Sequence, residues 1–289
     1  MSDCLMRLRY AADELAAAQR RVAEYLSDNA ERIIGMPIEQ VAAACQTSKA
    51  TVVRLCKQLG YPGYKGLCNA LSADLALGGP ERISYSEIGR EQDMRTVMQN
   101  VTAYAISAVT ETTRVQEEEV FRQAVQTLIG APRVDFFGIG SSGLVAMDAQ
   151  HKMLRAGKYS QTSADSHTQV VMAASLRPGD AAVLFSYTGE TQETLDALKA
   201  ARRAGAATLS VTRYGGNRLS RAADIALFVA APEKQVRIAA MSSRIAMMHL
   251  VDLLFSAYTA MAYDTAKPYL DKTLLAVLDR RGTRERSLK

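Results

Sequence analysis

Beyond Arg133, short apolar runs alternate with helix-length segments, and no other feature restricts the fold of this chain so strongly. The runs are Val134 to Phe137, Ala181 to Phe185, Thr208 to Val211 and Ile225 to Val229. Continuous apolar strands of this length need cover on both faces. Joined by helix-length connections, they make a parallel sheet with helices on either side.

The first quarter follows a different period. From Leu5 to about Leu77 apolar residues recur at three- and four-residue spacing, punctuated by Pro37, Gly60, Pro62 and Gly63, which reads as a compact all-helical unit. Gly78-Gly79-Pro80 and the polar segment Glu81 to Asp93 then read as a linker. Helical patterns over Met94 to about Thr113 and Glu117 to Ile129 lead into the second unit. Two more, around Ser242 to Tyr263 and Pro268 to Leu278, precede a basic tail expected to fray. The expected domains are an all-α domain over 1–77, a linker and connecting helix over 78–115, an α/β domain over 116–265, and a C-terminal helix with basic tail over 266–289. For 289 residues two domains is the natural expectation.

Composition excludes several classes. Nothing resembles a signal peptide and no stretch approaches the roughly 20 apolar residues of a membrane helix, so a cytoplasmic protein with no membrane partner is expected. Cys4, Cys45, Cys56 and Cys68 form no C-x-x-C pair and read as reduced, half-buried small hydrophobes. His151, His167 and His249 are scattered, which leaves a metal-dependent hydrolase without a ligand set, and neither metal nor cofactor is expected. The net charge of +5 permits nucleic-acid binding without demanding it.

Charge distribution says more. The segment Ile38 to Gly60 reads as two short helices meeting at a tight turn, with Val41, Ala42 and Cys45 facing inward on the first. Ser48 is placed to cap the second helix. On that helix Val52, Leu55, Cys56 and Leu59 make one apolar stripe, leaving Lys49, Ala50, Val53, Arg54 and Lys57 on the opposite face. Lys49 and Thr51 near the helix start, Arg54 one turn on, and Lys57 are the candidate DNA contacts of a helix-turn-helix. No acid occurs between Gln40 and Ala70, whereas Lys49, Arg54, Lys57 and Lys65 do. A three-helix scaffold with a solvated basic face has the same pattern. Gln46 occupies the turn position where Gly is usual, and Thr47 an adjacent position that is usually apolar.

Two loops that follow strands carry the second constellation. Val134 to Phe137 runs into Gly138-Ile-Gly-Ser-Ser-Gly143 and a helix expected to begin near Leu144, which puts Ser141 and Ser142 where hydroxyls and N–H groups converge on an anion. Alone, this glycine pattern also fits a dinucleotide site, with Asp165 somewhat late for the ribose acid. Ala181 to Phe185 is followed by Ser186-Tyr-Thr-Gly-Glu-Thr191. There Ser186, Thr188 and Thr191 can surround a phosphate, with the N–H of Gly189 expected to point at it. Simple helix capping is the alternative for these hydroxyls.

On these residues the chain resembles the RpiR-type regulators, which join an N-terminal helix-turn-helix to a sugar isomerase (SIS) domain. The resemblance is carried by Val41-Ala42, Ser48-x-x-Thr51-Val52-x-Arg54, Phe137-Gly-x-Gly-Ser-Ser142 and Ser186-x-Thr-Gly-x-Thr191, with Met241-Ser-Ser-Arg-Ile245 and Asp252 in support. It implies a five-stranded parallel sheet in an α-β-α sandwich and a phosphosugar held by Ser141, Ser142, Ser186, Thr188 and Thr191. It also implies a homodimer or homotetramer on operator DNA that regulates carbohydrate metabolism genes. Thr188 stands where the family usually has a second Ser, keeping the hydroxyl and adding a methyl. Ser243 and Arg244 stay open between ligand neighbours and a cap beside a surface charge. The rival is an aldose-ketose isomerase, which needs a base such as Glu190, Glu193, His151 or His167 at the substrate. A nicotinamide oxidoreductase leaves the second loop unexplained.

Overall fold

The computed structural model describes residues 4–11, 15–76, 93–231 and 240–287. The expected linker before Asp93 lies outside them. The chain divides into two compact units, Met1–Ser84 and Tyr85–Lys289.

Within the first unit, α1 (Cys4–Ala11), α2 (Ala17–Asp28), α3 (Ala30–Ile33), α4 (Ile38–Ala44), α5 (Lys49–Gln58) and α6 (Tyr64–Ala76) enclose one apolar core. Leu8, Leu26, Ile33, Val41, Val52, Leu55 and Leu67 are wholly buried in it. Two polar ties close the shell: the Leu5 N–H donates to the buried Asp74 carboxylate at 2.9 Å, and the Tyr64 hydroxyl donates to the Met36 carbonyl at 2.9 Å. Between α4 and α5 the chain turns through Gln46 at φ 49°. The left-handed region costs a residue with a Cβ about 1–2 kcal/mol, so the turn forms with glutamine at some expense in stability. The Thr47 N–H compensates by reaching back to the Ala42 carbonyl at 2.9 Å.

The second unit opens with α7 (Met94–Arg114), capped by Asp93, whose carboxylate accepts the Thr96 N–H at 2.9 Å. Then follow α8 (Glu118–Gly130), β1 (Arg133–Gly138), α9 (Ser141–Arg155), β2 (Tyr159–Gln161), α10 (Ser166–Ala174), β3 (Ala181–Phe185) and α11 (Gln192–Arg203). The unit closes with β4 (Ala207–Arg213), α12 (Arg218–Ala222), β5 (Ile225–Val229), α13 (Met241–Met261) and α14 (Tyr263–Ser287). The strands form a five-stranded parallel sheet in the order β2-β1-β3-β4-β5.

Both faces of the sheet are buried, as the unbroken apolar runs require. Phe136, Val183, Phe185 and Val211 pack on one side with α8, α9 and α13 through Leu128, Val145, Leu250 and Leu254. Phe137, Ala182 and Leu184 face the other way, toward Leu195 and Leu198 of α11 and Leu219 of α12. The result is an α-β-α sandwich. Strand β2 has no apolar run to announce it and is held at the edge by polar contacts. Arg133 pairs with the buried Asp135 at 2.6 Å, reaches Gln161 at 3.1 Å, and lies over the Tyr159 ring. Burial pushes the Asp135 carboxyl above its ordinary value despite the adjacent guanidinium.

Helix α7 packs on α13 and on the end of β5. The Thr112 hydroxyl exchanges hydrogen bonds with the N–H and carbonyl of Ala230, each at 3.1 Å, and Thr113 meets His249 at 2.8 Å. At the other end two expectations are corrected. The last helix begins at Tyr263 and not at Pro268, so that Pro268 lies inside its second turn, where it has no N–H to give to the Asp264 carbonyl. The basic tail continues that helix through Ser287 where fraying was expected. No single helix among the described residues is long and apolar enough to cross a membrane.

Candidate functional site

In the first unit the sequence-derived face is present. The Ser48 hydroxyl accepts the Thr51 N–H at 3.2 Å and lies 3.0 Å from the Thr51 hydroxyl, which fixes the start of α5. Val52, Leu55, Cys56 and Leu59 are buried, while Lys49, Arg54 and Lys57 are exposed and Thr51 is half-buried. Glu39, in the first turn of α4, was absent from the sequence-derived set. Its carboxylate accepts the Lys49 ammonium at 2.5 Å, and that hydrogen bond holds the carboxyl below its usual range.

In the second unit β1 and β3 are neighbours, with Gly138 in register with Phe185 at their carboxyl ends. The chain leaves β1 toward β2 on one side and continues the sheet with β3 on the other, so the two loops flank the point where strand order reverses. Open α/β sheets bind ligands in that crevice. Both loops end at helix N-termini, whose N–H groups and dipoles favour an anion. The structure therefore brings the loops that carry Ser141, Ser142, Ser186, Thr188, Gly189 and Thr191 to the carboxyl end of the sheet.

Two local expectations change. Helix α9 begins at Ser141, three residues before the expected start near Leu144, so Ser141 and Ser142 form its first turn. The N–H of Gly189 turns inward, donating to the Ser186 carbonyl at 2.9 Å and the Ser186 hydroxyl at 3.2 Å. It closes the loop on itself and does not face the crevice. Ser186 is buried, and its hydroxyl also meets that of Thr191 at 2.9 Å. The Thr188 hydroxyl accepts the Glu190 N–H at 3.3 Å.

Residues outside the candidate phosphate-binding set hold these loops. Gln169 of α10, fully buried, accepts the Gly138 N–H at 3.2 Å and donates to the Gly138 carbonyl at 2.8 Å. Gly138 must lack a side chain, since a Cβ there would lie 2.7 Å from the Ser142 carbonyl oxygen. The second loop is clamped by the start of α12. The Leu219 N–H donates to the Gly189 carbonyl at 3.0 Å, and the Arg218 N–H donates to the Glu190 carboxylate at 3.0 Å. Asn217 caps α12 and donates to the Thr212 hydroxyl at 2.9 Å. Ser243 is buried and Arg244 half-buried in the first turn of α13.

A helix-turn-helix unit with a basic outer face, followed by an α-β-α sandwich whose two hydroxyl-bearing loops leave adjacent strands at the switch point, has the architecture of a helix-turn-helix module joined to a SIS domain. The family comparisons give the same division. The SIS domain family matches residues 127–257, and the helix-turn-helix domain of the rpiR family matches residues 2–78. An HTH-type transcriptional regulator of Caldanaerobacter subterraneus is 33% identical over 94% of this chain and 96% of its own length. The HTH-type transcriptional regulator HexR of Pseudomonas aeruginosa is 32% identical over 93% and 94%. Among solved structures, Vibrio vulnificus NanR complexed with ManNAc-6P aligns with a TM-score of 0.60 at 26% identity, covering 96% of this chain and 98% of that one. This chain belongs to the rpiR family of HTH-type transcriptional regulators that carry a SIS domain. The fold itself is shared with catalysts: phosphoheptose isomerase GmhA of Neisseria gonorrhoeae aligns with a TM-score of 0.51 at 17% identity, over 58% of this chain and 100% of that one.

Proposed function

We propose that the protein binds operator DNA through α5 and that a phosphorylated sugar or sugar acid, held between the loops after β1 and β3, sets its operator affinity. One observation carries this reading: two hydroxyl-bearing loops, each opening a helix, meet at the carboxyl ends of adjacent strands. Ser141, Ser142, Ser186, Thr188 and Thr191 then supply the phosphate contacts, while Lys49, Thr51, Arg54 and Lys57 supply those to DNA. Gly189 acts by shaping the loop. The likeness to NanR, whose structure holds ManNAc-6P, supports a phosphosugar as the effector class. Residues 1–77 form the DNA-binding domain and 116–265 the effector domain, and genes of carbohydrate metabolism are the targets. A homodimer or homotetramer presents the recognition helices about 34 Å apart, one turn of duplex.

The isomerase reading has less support. Of its candidate bases, Glu190 uses one carboxylate oxygen to accept the Arg218 N–H at 3.0 Å, and its other oxygen lies 3.9 Å from the Arg218 guanidinium.

A thermal-shift screen tests the effector site. The probes are inorganic phosphate, hexose, pentose and amino-sugar phosphates, phosphorylated sugar acids, and the same sugars without phosphate. A specific effector at a hundred times its Kd stabilises the native state by about 2.7 kcal/mol. Stabilisation confined to phosphate esters is expected. Equal stabilisation by the unphosphorylated sugars, or by none of the probes, contradicts the reading.

A further inference from the structure

The two exposed cations of α5 that lie beyond its first turn, Arg54 and Lys57, have no acid paired with them among the described residues. Lys49 differs. Its ammonium is held at 2.5 Å by Glu39, and both side chains are more than half exposed, at 59% and 55%. The geometry under the pair is fixed. Val41 and Ala42 of α4 and Val52 of α5 are buried against one another's helices, and the Ser48 cap sets where α5 starts. Glu39 therefore reaches Lys49 from a backbone held by the α4–α5 packing. Hydrogen bonding from Lys49 lowers the carboxyl below its ordinary value, so the acid is charged at neutral pH.

An exposed ion pair of this kind contributes little to stability. On a surface that meets DNA it has a different consequence. Every cation that neutralises a phosphate adds about 0.9 to the steepness with which log K falls with log salt, and it does so on any sequence. A lysine already neutralised by a neighbouring carboxylate releases no counterion when it nears a phosphate. Its remaining means of gaining energy is directional hydrogen bonding to a base edge, such as O6 and N7 of guanine, which depends on sequence.

We propose that Glu39 is a specificity-determining residue that acts through Lys49: it withholds the ammonium from phosphates and leaves it oriented at the start of α5 for base reading. The inference rests on the DNA-binding reading of α5 given above. Glu39 is thus a positioning residue, and its removal raises affinity for DNA in general while lowering discrimination.

The test is a double-mutant cycle on the full-length protein, with Glu39→Gln, Lys49→Gln and both together. Binding is measured to a random-sequence duplex and to a duplex selected from a random library by the wild type, across a salt series. Expected for Glu39→Gln is a random-duplex salt slope steeper by about 0.9. The ratio of selected to random affinity should fall about tenfold, the discrimination of roughly one base contact. In the Lys49→Gln background the Glu39→Gln step should leave slope and ratio where that background has them. An equal step in both backgrounds means that Glu39 simply repels phosphates, which overturns the proposal, as does an unchanged slope for Glu39→Gln alone. A wild type that binds no duplex at low salt overturns the DNA-binding reading itself and this inference with it, an outcome distinct from normal binding with no coupling.

Discussion

Replacing Gly189 with alanine is expected to lower the thermal transition of the α/β unit by roughly 5–10 °C and to abolish stabilisation by the effector. Gly189 has φ 69°, where a Cβ costs about 1–2 kcal/mol. The new Cβ would also fall 1.9 Å from the Asn217 side-chain oxygen. That oxygen cannot move aside cheaply, because it accepts the Ser220 N–H at 2.9 Å and its amide partner donates to Thr212 and to Gly215. Overpacking of this kind costs about 1–3 kcal/mol, which brings the sum to about 3 kcal/mol. Asn217→Gly in the same chain relieves the clash but also removes the α12 cap and its bonds to Ser220 and Thr212, so the double change should cost less than the sum of the two single changes. A Gly189→Ala protein that melts with the wild type would show that the loop is not held as described.

Arg54→Ala is expected to weaken binding to the selected operator by about 1–3 kcal/mol at matched salt, with the melting curve unchanged. The side chain is exposed on the face of α5 opposite the buried stripe of Val52, Leu55 and Cys56, so its loss removes no core contact. Arginine is the commonest bidentate reader of guanine, so relaxed preference at one position of the site should accompany the weaker affinity. Lys57→Gln provides the contrast. A phosphate contact is lost there, so affinity should fall equally on operator and random duplex. Equal operator affinity for Arg54→Ala and wild type would remove Arg54 from the reading set. Fluorescence anisotropy with labelled duplexes measures all of these.

The sequence-level reading succeeded where one element alone decides the pattern. The i, i+3, i+4, i+7 stripe of α5 and its Ser48 cap are local, and all four long strands lie within a residue or two of where their apolar runs placed them. It failed where partners are distant along the chain. Strand β2 is only Tyr159–Gln161, and its edge position depends on Arg133 and Asp135 more than twenty residues earlier, so no run of its own announces it. Gln169 and Asn217 look like ordinary polar residues, and Glu190 like a candidate base, until the sheet brings α10 and α12 against the two loops. The inward turn of the Gly189 N–H was invisible for the same reason: a glycine signals only that φ is free. Glu39 lies one residue outside the acid-free stretch from Gln40 to Ala70, and a charge tally along the chain does not register that its carboxylate reaches Lys49.

Control of DNA binding from the loops after β1 and β3 requires the effector to favour one arrangement of the protein over another. It is tested most directly by operator anisotropy with and without the phosphate ester that the thermal screen identifies, comparing wild type with Ser186→Ala/Thr188→Val. The wild type should change operator affinity by roughly 5–150-fold on saturation, the usual range of allosteric coupling. The double mutant should bind operator as the wild type does without effector and show no change when the effector is added. A double mutant that responds at the same effector concentration as the wild type would contradict the assignment of this loop as the control site.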